Sequence, residues 1–353
     1  MKSKPVPAGE LSRILVLCRP LLGDMILTGP VFRNLRSWQP EARITAVCLE
    51  GKRDLLSLAP EISAIVEIPR RRTGSRRSFF ARWAGVIRKL RAERYDLVFD
   101  LMQTDRSSML CSLIGARWRV GFVKGPARLR HRVYTHTAPW REGDGEPDHA
   151  LDLHLAPLRA AGMPVVTRSI AVEPGRAAVG EIRDPARPLV ACHPGASSAN
   201  KCWPLEEFAA ACDLLQTELG ARVLLLGGAR EAPALCTLRS LMRSESERVL
   251  ETHSVAELAA TLAQADLFFG HDSGPMHVAA AVGTPVVALF GASPPAQWRP
   301  LGVASAVLRP PMPCHPCPFP GLCRSPSAYN MFCVRRIPPA EVHQALREAV
   351  ARL

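Results

Sequence analysis

Apolar residues recur along this chain in two rhythms, as short continuous runs and as longer stretches with apolar positions three or four apart. Ile14–Arg19 is a short apolar run after a polar start and predicts a buried strand. From Asp24 to Leu35 the apolar residues Met25, Ile26, Val31 and Leu35 have helical spacing. The alternation continues with strands at Ile44–Leu49 and Ala64–Ile68, a helix at Phe79–Arg91, a strand at Leu97–Leu101 and a helix at Ser107–Leu113. Residues 139–150 are polar and turn-rich, and 173–188, with Pro174, Gly175, Pro185 and Pro188, read as a linker. The rhythm then restarts with strand Leu189–His193, helix Leu205–Leu219, strand Val223–Leu226 and helices Ala232–Met242 and Val255–Ala263. Strand Leu267–Gly270, helix Pro275–Val282, strand Val286–Phe290 and a last helix, Pro339–Leu353, complete it. This pattern predicts an α/β protein of two Rossmann-like, doubly wound parallel-sheet domains, residues 1–178 and 179–353, facing each other across a cleft. Ligands of such sheets bind at the carboxyl ends of the strands, where loops lead into helix N-termini.

Composition narrows the class. The chain has 353 residues, 47% of them hydrophobic and 22% charged, which excludes global disorder and a fibrous protein. No apolar run approaches the roughly 18 residues needed to span a bilayer. Met1 to Arg13 lacks the apolar core of a signal peptide, so a cytoplasmic protein is expected. Eleven cysteines are too sparse for a disulfide scaffold and are expected mostly as reduced thiols. Charge changes the picture more. Of 45 basic and 32 acidic side chains, residues 1–178 hold 30 and 17, and residues 179–353 hold 15 and 15. The whole excess of +13 lies in the first half, which points to an anionic partner for that domain or to a surface kept soluble by arginine.

Three glycine-containing turns follow predicted strands: Leu22-Gly23-Asp24; His193-Pro194-Gly195-Ala196-Ser197-Ser198, running on to Lys201-Cys202-Trp203-Pro204; and His271-Asp272-Ser273-Gly274-Pro275-Met276-His277. None is a P-loop or the spaced dinucleotide fingerprint, which argues against an NTPase and a simple NAD enzyme. Asp272 and Ser273 fit a helix N-cap, and they equally fit a turn whose free N–H groups bind a diphosphate. Ser197 and Ser198 are turn residues or phosphate donors. Asp24 fits an N-cap or a general base. The chain has 6 lysines against 39 arginines, and Lys201 is the only lysine after Lys124. A compact ammonium beside a glycine turn suits a phosphate oxygen.

Taken together, "ILVLCRPLLGDMILTGPVFRNLR", "YDLVFDLMQTDRSSMLCSLIGARWRVGF", "HPGASSANKCWPLEEFAAA", "VLLLGGAREA" and "GHDSGPMHVAAAVGTPVVALFG" resemble, in order, the motifs of lipopolysaccharide heptosyltransferases, glycosyltransferase family 9. The resemblance implies a GT-B fold and inverting, metal-independent transfer of heptose from ADP-heptose to a sugar of the lipopolysaccharide core, with no cofactor. It implies that Asp24 is the catalytic base and that Lys201 contacts donor phosphate. By the same resemblance Glu231 lies near the donor nucleoside, and Asp272, Ser273, Gly274 and His277 hold the donor diphosphate and sugar. Pro20, Leu21 and Leu22 stand where the family often has small hydroxylated residues, and His271 has no assigned role.

Other residues extend the expectation. Asp100 at a strand end suits acceptor binding or the positioning of the sheet end, and the basic residues Lys124, Arg128, Arg130 and Arg132 suit acceptor carboxylates or phosphates. Arg70, Arg71, Arg72, Arg76, Arg77 and Arg82 cluster with Phe79, Phe80 and Trp83, as in an interfacial segment resting on anionic lipid or in a solvated helix face. Cys314, Cys317, Cys323 and Cys333 allow a zinc site, a disulfide or reduced packing. The expected protein is thus a heptosyltransferase at the inner face of a Gram-negative membrane, with a basic acceptor domain and a neutral donor domain. The alternatives are a nucleotide-sugar 2-epimerase of the same architecture and a non-enzymatic nucleic-acid-binding protein.

Overall fold

The computed structural model describes residues 5–7, 9, 11–70, 75–123, 132–139, 149–174, 180–245, 248–312, 314 and 333–353. The chain forms two compact units, Met1–Ser169 and Ile170–Leu353. Residues 170–174 thus go with the second unit, where Val172 N–H donates to the Ala281 carbonyl. Of the predicted linker, residues 175–179 lie outside the described residues, and Ile182 is buried against Leu189 and Leu224.

The first unit carries strands β1 (Arg13–Leu17), β2 (Arg43–Leu49), β3 (Ala64–Ile68), β4 (Leu97–Asp100), β5 (Trp118–Val123) and β6 (His136–Pro139). All pair in parallel, in the order β3-β2-β1-β4-β5-β6. Its helices are α1 (Leu22–Trp38), α2 (Arg76–Ala92), α3 (Asp105–Ile114) and α4 (Ala150–Ala160). Ile14 through Leu17 are fully buried, which explains the unbroken apolar run: helices cover both faces of a parallel sheet. A Thr104–Ser107 capping box starts α3, and Gly115, at φ 75°, ends it in the left-handed region that glycine adopts without strain.

The second unit repeats this plan. Strands β7 (Leu189–His193), β8 (Arg222–Gly227), β9 (Arg248–Glu251), β10 (Leu267–His271), β11 (Val286–Leu289) and β12 (Ser305–Leu308) form an all-parallel sheet ordered β12-β11-β10-β7-β8-β9. Helices α5 (Leu205–Thr217), α6 (Ala232–Leu241), α7 (Val255–Leu262), α8 (Gly274–Ala281), the single turn α9 (Pro295–Trp298) and α10 (Pro339–Val350) accompany it. Trp203, Phe208, Phe269, Leu289 and Leu346 belong to one buried cluster on this sheet. In each sheet the strand order reverses once beside its first strand, at β1/β4 and at β7/β10. Those are the topological switch points, where doubly wound sheets take ligands.

The sequence pattern did not announce β5, β6, α4, β9 or β12. Strand β6 reads His-Thr-Ala-Pro and β5 carries Arg119 and Gly121, so neither shows an apolar run. Of the turn-rich stretch before α4, residues 140–148 lie outside the described residues.

Candidate active site

Beyond β1 in the first unit Asp24, Arg19 and His154 come together, and Asp100 ends the neighbouring strand β4. Asp24 is the third residue of α1, whose N-cap position is Leu21, so it is not the N-cap that its place after Gly23 suggested. Its side chain is 2% exposed. Arg19 Nε lies 3.1 Å from Asp24 Oδ1, and His154 Nε2, reaching in from α4, lies 3.5 Å from the same oxygen. Thr28, one turn along α1, donates its hydroxyl to the Asp24 carbonyl at 2.7 Å and stands 2.8 Å from His154 Nδ1. Burial lowers the pKa of His154, Asp24 raises it and Arg19 lowers it.

Asp100 is fully buried at the end of β4. Oδ1 accepts from the Met102 and Gln103 N–H groups at 2.9 and 3.2 Å, and Oδ2 accepts from Tyr134 Oη at 2.7 Å. Burial raises its pKa against the pull of these donors. Gln103, at φ 58°, sits in the left-handed region, so this carboxylate holds a strained loop at the switch point. Among the basic residues expected to meet an acceptor, Arg132 is exposed, and Lys124, Arg128 and Arg130 lie outside the described residues.

In the second unit the structure joins two of the predicted turns. Lys201 Nζ donates to Asp272 Oδ2 at 2.7 Å, with the Asp272 side chain 8% exposed. Ser273 takes the N-cap position of α8 but makes no side-chain cap, and its buried Oγ has no hydrogen-bond partner. Gly274 opens the helix, and His277, buried, packs edge-on to Trp298 with ring centres 6.3 Å apart. Glu231 accepts from Gly228 N–H at 3.1 Å. A Cβ on Gly195 would come within 2.6 Å of Glu231 Cγ and 2.8 Å of His193 Cε1, so the Gly195 and Glu231 loops require this glycine. Ser197 and Ser198 are exposed, and Ser198 Oγ donates to Asn200 Oδ1 at 2.5 Å.

His271, left without a role by the sequence, acquires one. Its Nε2 accepts from Trp203 N–H at 2.9 Å, which fixes the Lys201-Cys202-Trp203 segment to the end of β10. Burial, and next the neighbouring His193, push its pKa down to about 3, so the ring is neutral and keeps this lone pair. Arg19, His154 and Thr28 were also missed. The one sequence signal for His154 is a histidine within the otherwise apolar stretch Leu153 to Leu158.

Cys314 is exposed and Cys333 is half-buried, while Cys317 and Cys323 lie outside the described residues. Among the described residues no three His, Cys, Asp or Glu side chains are grouped to hold a metal ion.

Comparison with known proteins settles the family. The profile of glycosyltransferase family 9 (heptosyltransferase) matches residues 83–319. The chain belongs to glycosyltransferase family 9. It is therefore a glycosyltransferase, which sets aside the epimerase and nucleic-acid-binding alternatives. It is 30% identical to lipopolysaccharide heptosyltransferase 3 of Escherichia coli K12 over 298 residues, covering 79% of this chain and 82% of that protein. Among solved structures, a family 9 glycosyltransferase from Veillonella parvula overlays with a TM-score of 0.77 at 23% identity, covering 97% of this chain and 98% of that one. The E. coli ADP-heptose lipopolysaccharide heptosyltransferase II overlays at 0.72 and 23% identity, covering 96% and 99%. Both support the GT-B class of two parallel-sheet units.

Proposed function

We propose that this glycosyltransferase moves heptose from ADP-heptose to an anionic, lipid-linked acceptor of the lipopolysaccharide core, with inversion and without a metal ion. The observation that carries this reading is a matched pair of strand-end sites. A buried carboxylate, Asp24, follows β1, and an ion-paired lysine, Lys201 with Asp272, stands where β10 passes into α8. Asp24 accepts the proton of the acceptor hydroxyl as its oxygen attacks the anomeric carbon. The bond to the diphosphate breaks on the opposite side, and its electron pair leaves with ADP. Lys201 and the N–H groups opening α8 meet the charge that develops there. Ser273 Oγ, buried without a partner, is a further donor for the diphosphate, and Glu231 lies by the nucleoside. Asp100 shapes the acceptor side by holding residues 101–103, and Arg132, Arg128 and Arg130 meet acceptor anions.

The same reading places α2 on an anionic lipid surface. This helix carries six cations and no acid, and Phe80, 65% exposed, projects from it beside exposed Arg76 and Arg77. Trp83 instead packs on the buried core of the first unit. Among the described residues no helix is long and apolar enough to cross a membrane.

The test is direct: purified protein, ADP-heptose and a lipid-linked core acceptor are combined in EDTA, and the product linkage is read by NMR. The expected product has the anomeric configuration opposite to the donor's, formed at an undiminished rate. Retention of configuration, or activity lost in EDTA and restored by magnesium or manganese, would overturn the reading.

A further inference from the structure

We propose that His154 takes up, through Nε2, the proton that Asp24 removes from the acceptor hydroxyl. This inference rests on the reading of Asp24 as the base.

The hydrogen-bond arithmetic around Thr28 carries it. A threonine hydroxyl has one proton, and that of Thr28 goes to the Asp24 carbonyl at 2.7 Å. The Thr28 oxygen, 2.8 Å from His154 Nδ1, is then an acceptor, and Nδ1 must carry the hydrogen. In a neutral ring this leaves Nε2 as a bare lone pair. Nε2 is buried, makes no hydrogen bond and stands 3.5 Å from Asp24 Oδ1. Two acceptor atoms therefore face each other where one proton is missing. Such a pair is strained while empty and relieved when a proton enters, closing toward the roughly 2.7–2.9 Å of a charge-assisted hydrogen bond. A buried acceptor without a donor is costly. Here that cost becomes proton affinity at the base.

The electrostatics agree. Helix α4 packs on α1, β5 and β6. The charged and titratable groups on those elements are Asp24 with the adjacent Arg19, Arg33, Arg36, Arg119 and His136. Arg33 pairs with Glu61, Arg36 donates to the Pro40, Ala42 and Glu61 carbonyls, and Arg119 donates to the Ala116 and Val133 carbonyls. His136 Nδ1 lies 3.0 Å from Thr135 Oγ1. Burial lowers the pKa of His154 and so favours the neutral ring, while Asp24 and Arg19 are the two charges that act on it, in opposite senses. The step balances. The acceptor oxygen bonds to the anomeric carbon, ADP departs with the electron pair, and the hydroxyl proton passes to Asp24 and is shared with His154. His154 is thus a positioning residue acting through Asp24, and the pair titrates as a unit.

The experiment compares wild type, His154→Gln and Thr28→Val for fold by circular dichroism, for kcat, for both KM values and for the pH profile of kcat. Glutamine can donate to Asp24 Oδ1 but cannot accept a proton. His154→Gln is expected to keep both KM values and lose about 10²-fold in kcat, the lower end for one acid–base group. Its acid limb should move to lower pH by about one unit, because a lone carboxylate is protonated at lower pH than the pair. Thr28→Val frees the imidazole to place its hydrogen on Nε2, so its acid limb should move the same way, and this variant serves if His154→Gln fails to fold. An unmoved acid limb in a folded variant, with or without loss of kcat, overturns the inference. Asp24→Asn separates the two readings: full activity there removes the base itself, whereas an inactive Asp24→Asn beside a normal His154→Gln removes only the proton-sharing role.

Discussion

Replacing Lys201 by alanine removes a cation from the turn where the donor diphosphate is proposed to bind, and two separate effects follow. The first is on the ligand. A hydrogen bond from an ammonium to a phosphate oxygen contributes about 1.5–3 kcal/mol. Each 1.4 kcal/mol is tenfold in affinity, so ADP binding should weaken by about 10- to 150-fold. The second is on the fold. Asp272 keeps its charge with only 8% of its side chain exposed and loses its 2.7 Å partner. Because Lys201 itself is 29% exposed, water reaches the pair and the loss falls toward the low end of about 1–3 kcal/mol. For a unit of this size each kcal/mol lowers Tm by about 2–4 °C. The double variant Lys201→Ala/Asp272→Asn separates the effects, since it removes both charges of the pair. It should regain most of the lost Tm while ADP binding stays weak. Isothermal titration with ADP and a thermal melt measure both. Lys201→Ala with the wild-type Kd for ADP would refute the placement of the diphosphate, and a double variant that regains binding would assign the effect to the unpaired Asp272.

His271 is held neutral to about pH 3, whereas an unfolded histidine takes up its proton near 6.5. The unfolded chain therefore binds the extra proton, and this contribution to stability is complete above about pH 6.5 and lost as pH falls toward 3. His271→Asn, which keeps an acceptor for Trp203 N–H, should flatten the acid side of a Tm-against-pH curve, and an unchanged slope would refute the assignment. Charge reversal at Arg76 and Arg77 with Phe80→Ala should reduce pelleting with anionic vesicles while leaving ADP binding unchanged; undiminished pelleting would remove α2 from the membrane surface. Each basic residue near such a surface contributes about 1 kcal/mol, so the effect should be largest at low salt.

The doubly wound plan was legible because parallel strands covered on both faces leave continuous apolar runs. Leu189–His193 and the run Ile44–Leu49 of β2 are found where those runs fall. Edge strands leave weaker traces: β6 lies at the sheet margin with alternate residues exposed, and its four residues show no apolar pattern. The site followed the same division. Asp24, Lys201 and Asp272 were visible because each belongs to a turn after a strand, where the sequence itself marks the place. Arg19 and His154 were not, because their meaning lies in contacts made by folding; His154 meets Thr28 across 126 residues of chain. Asp100 was visible as a residue at a strand end, but only the structure shows its two oxygens turned inward to Met102, Gln103 and Tyr134. His271 reads as one more turn residue until its ring is seen holding Trp203, and through it the segment that bears Lys201.

The central claim is that Asp24 is the base of a heptosyl transfer. Its most direct measurement is the rate of transfer from ADP-heptose by Asp24→Asn, with ADP affinity measured on the same preparation. Asparagine preserves shape and removes the proton acceptor. The account predicts unchanged ADP binding and a rate lower by about 10²–10⁴-fold. A near-wild-type rate with intact donor binding would contradict it.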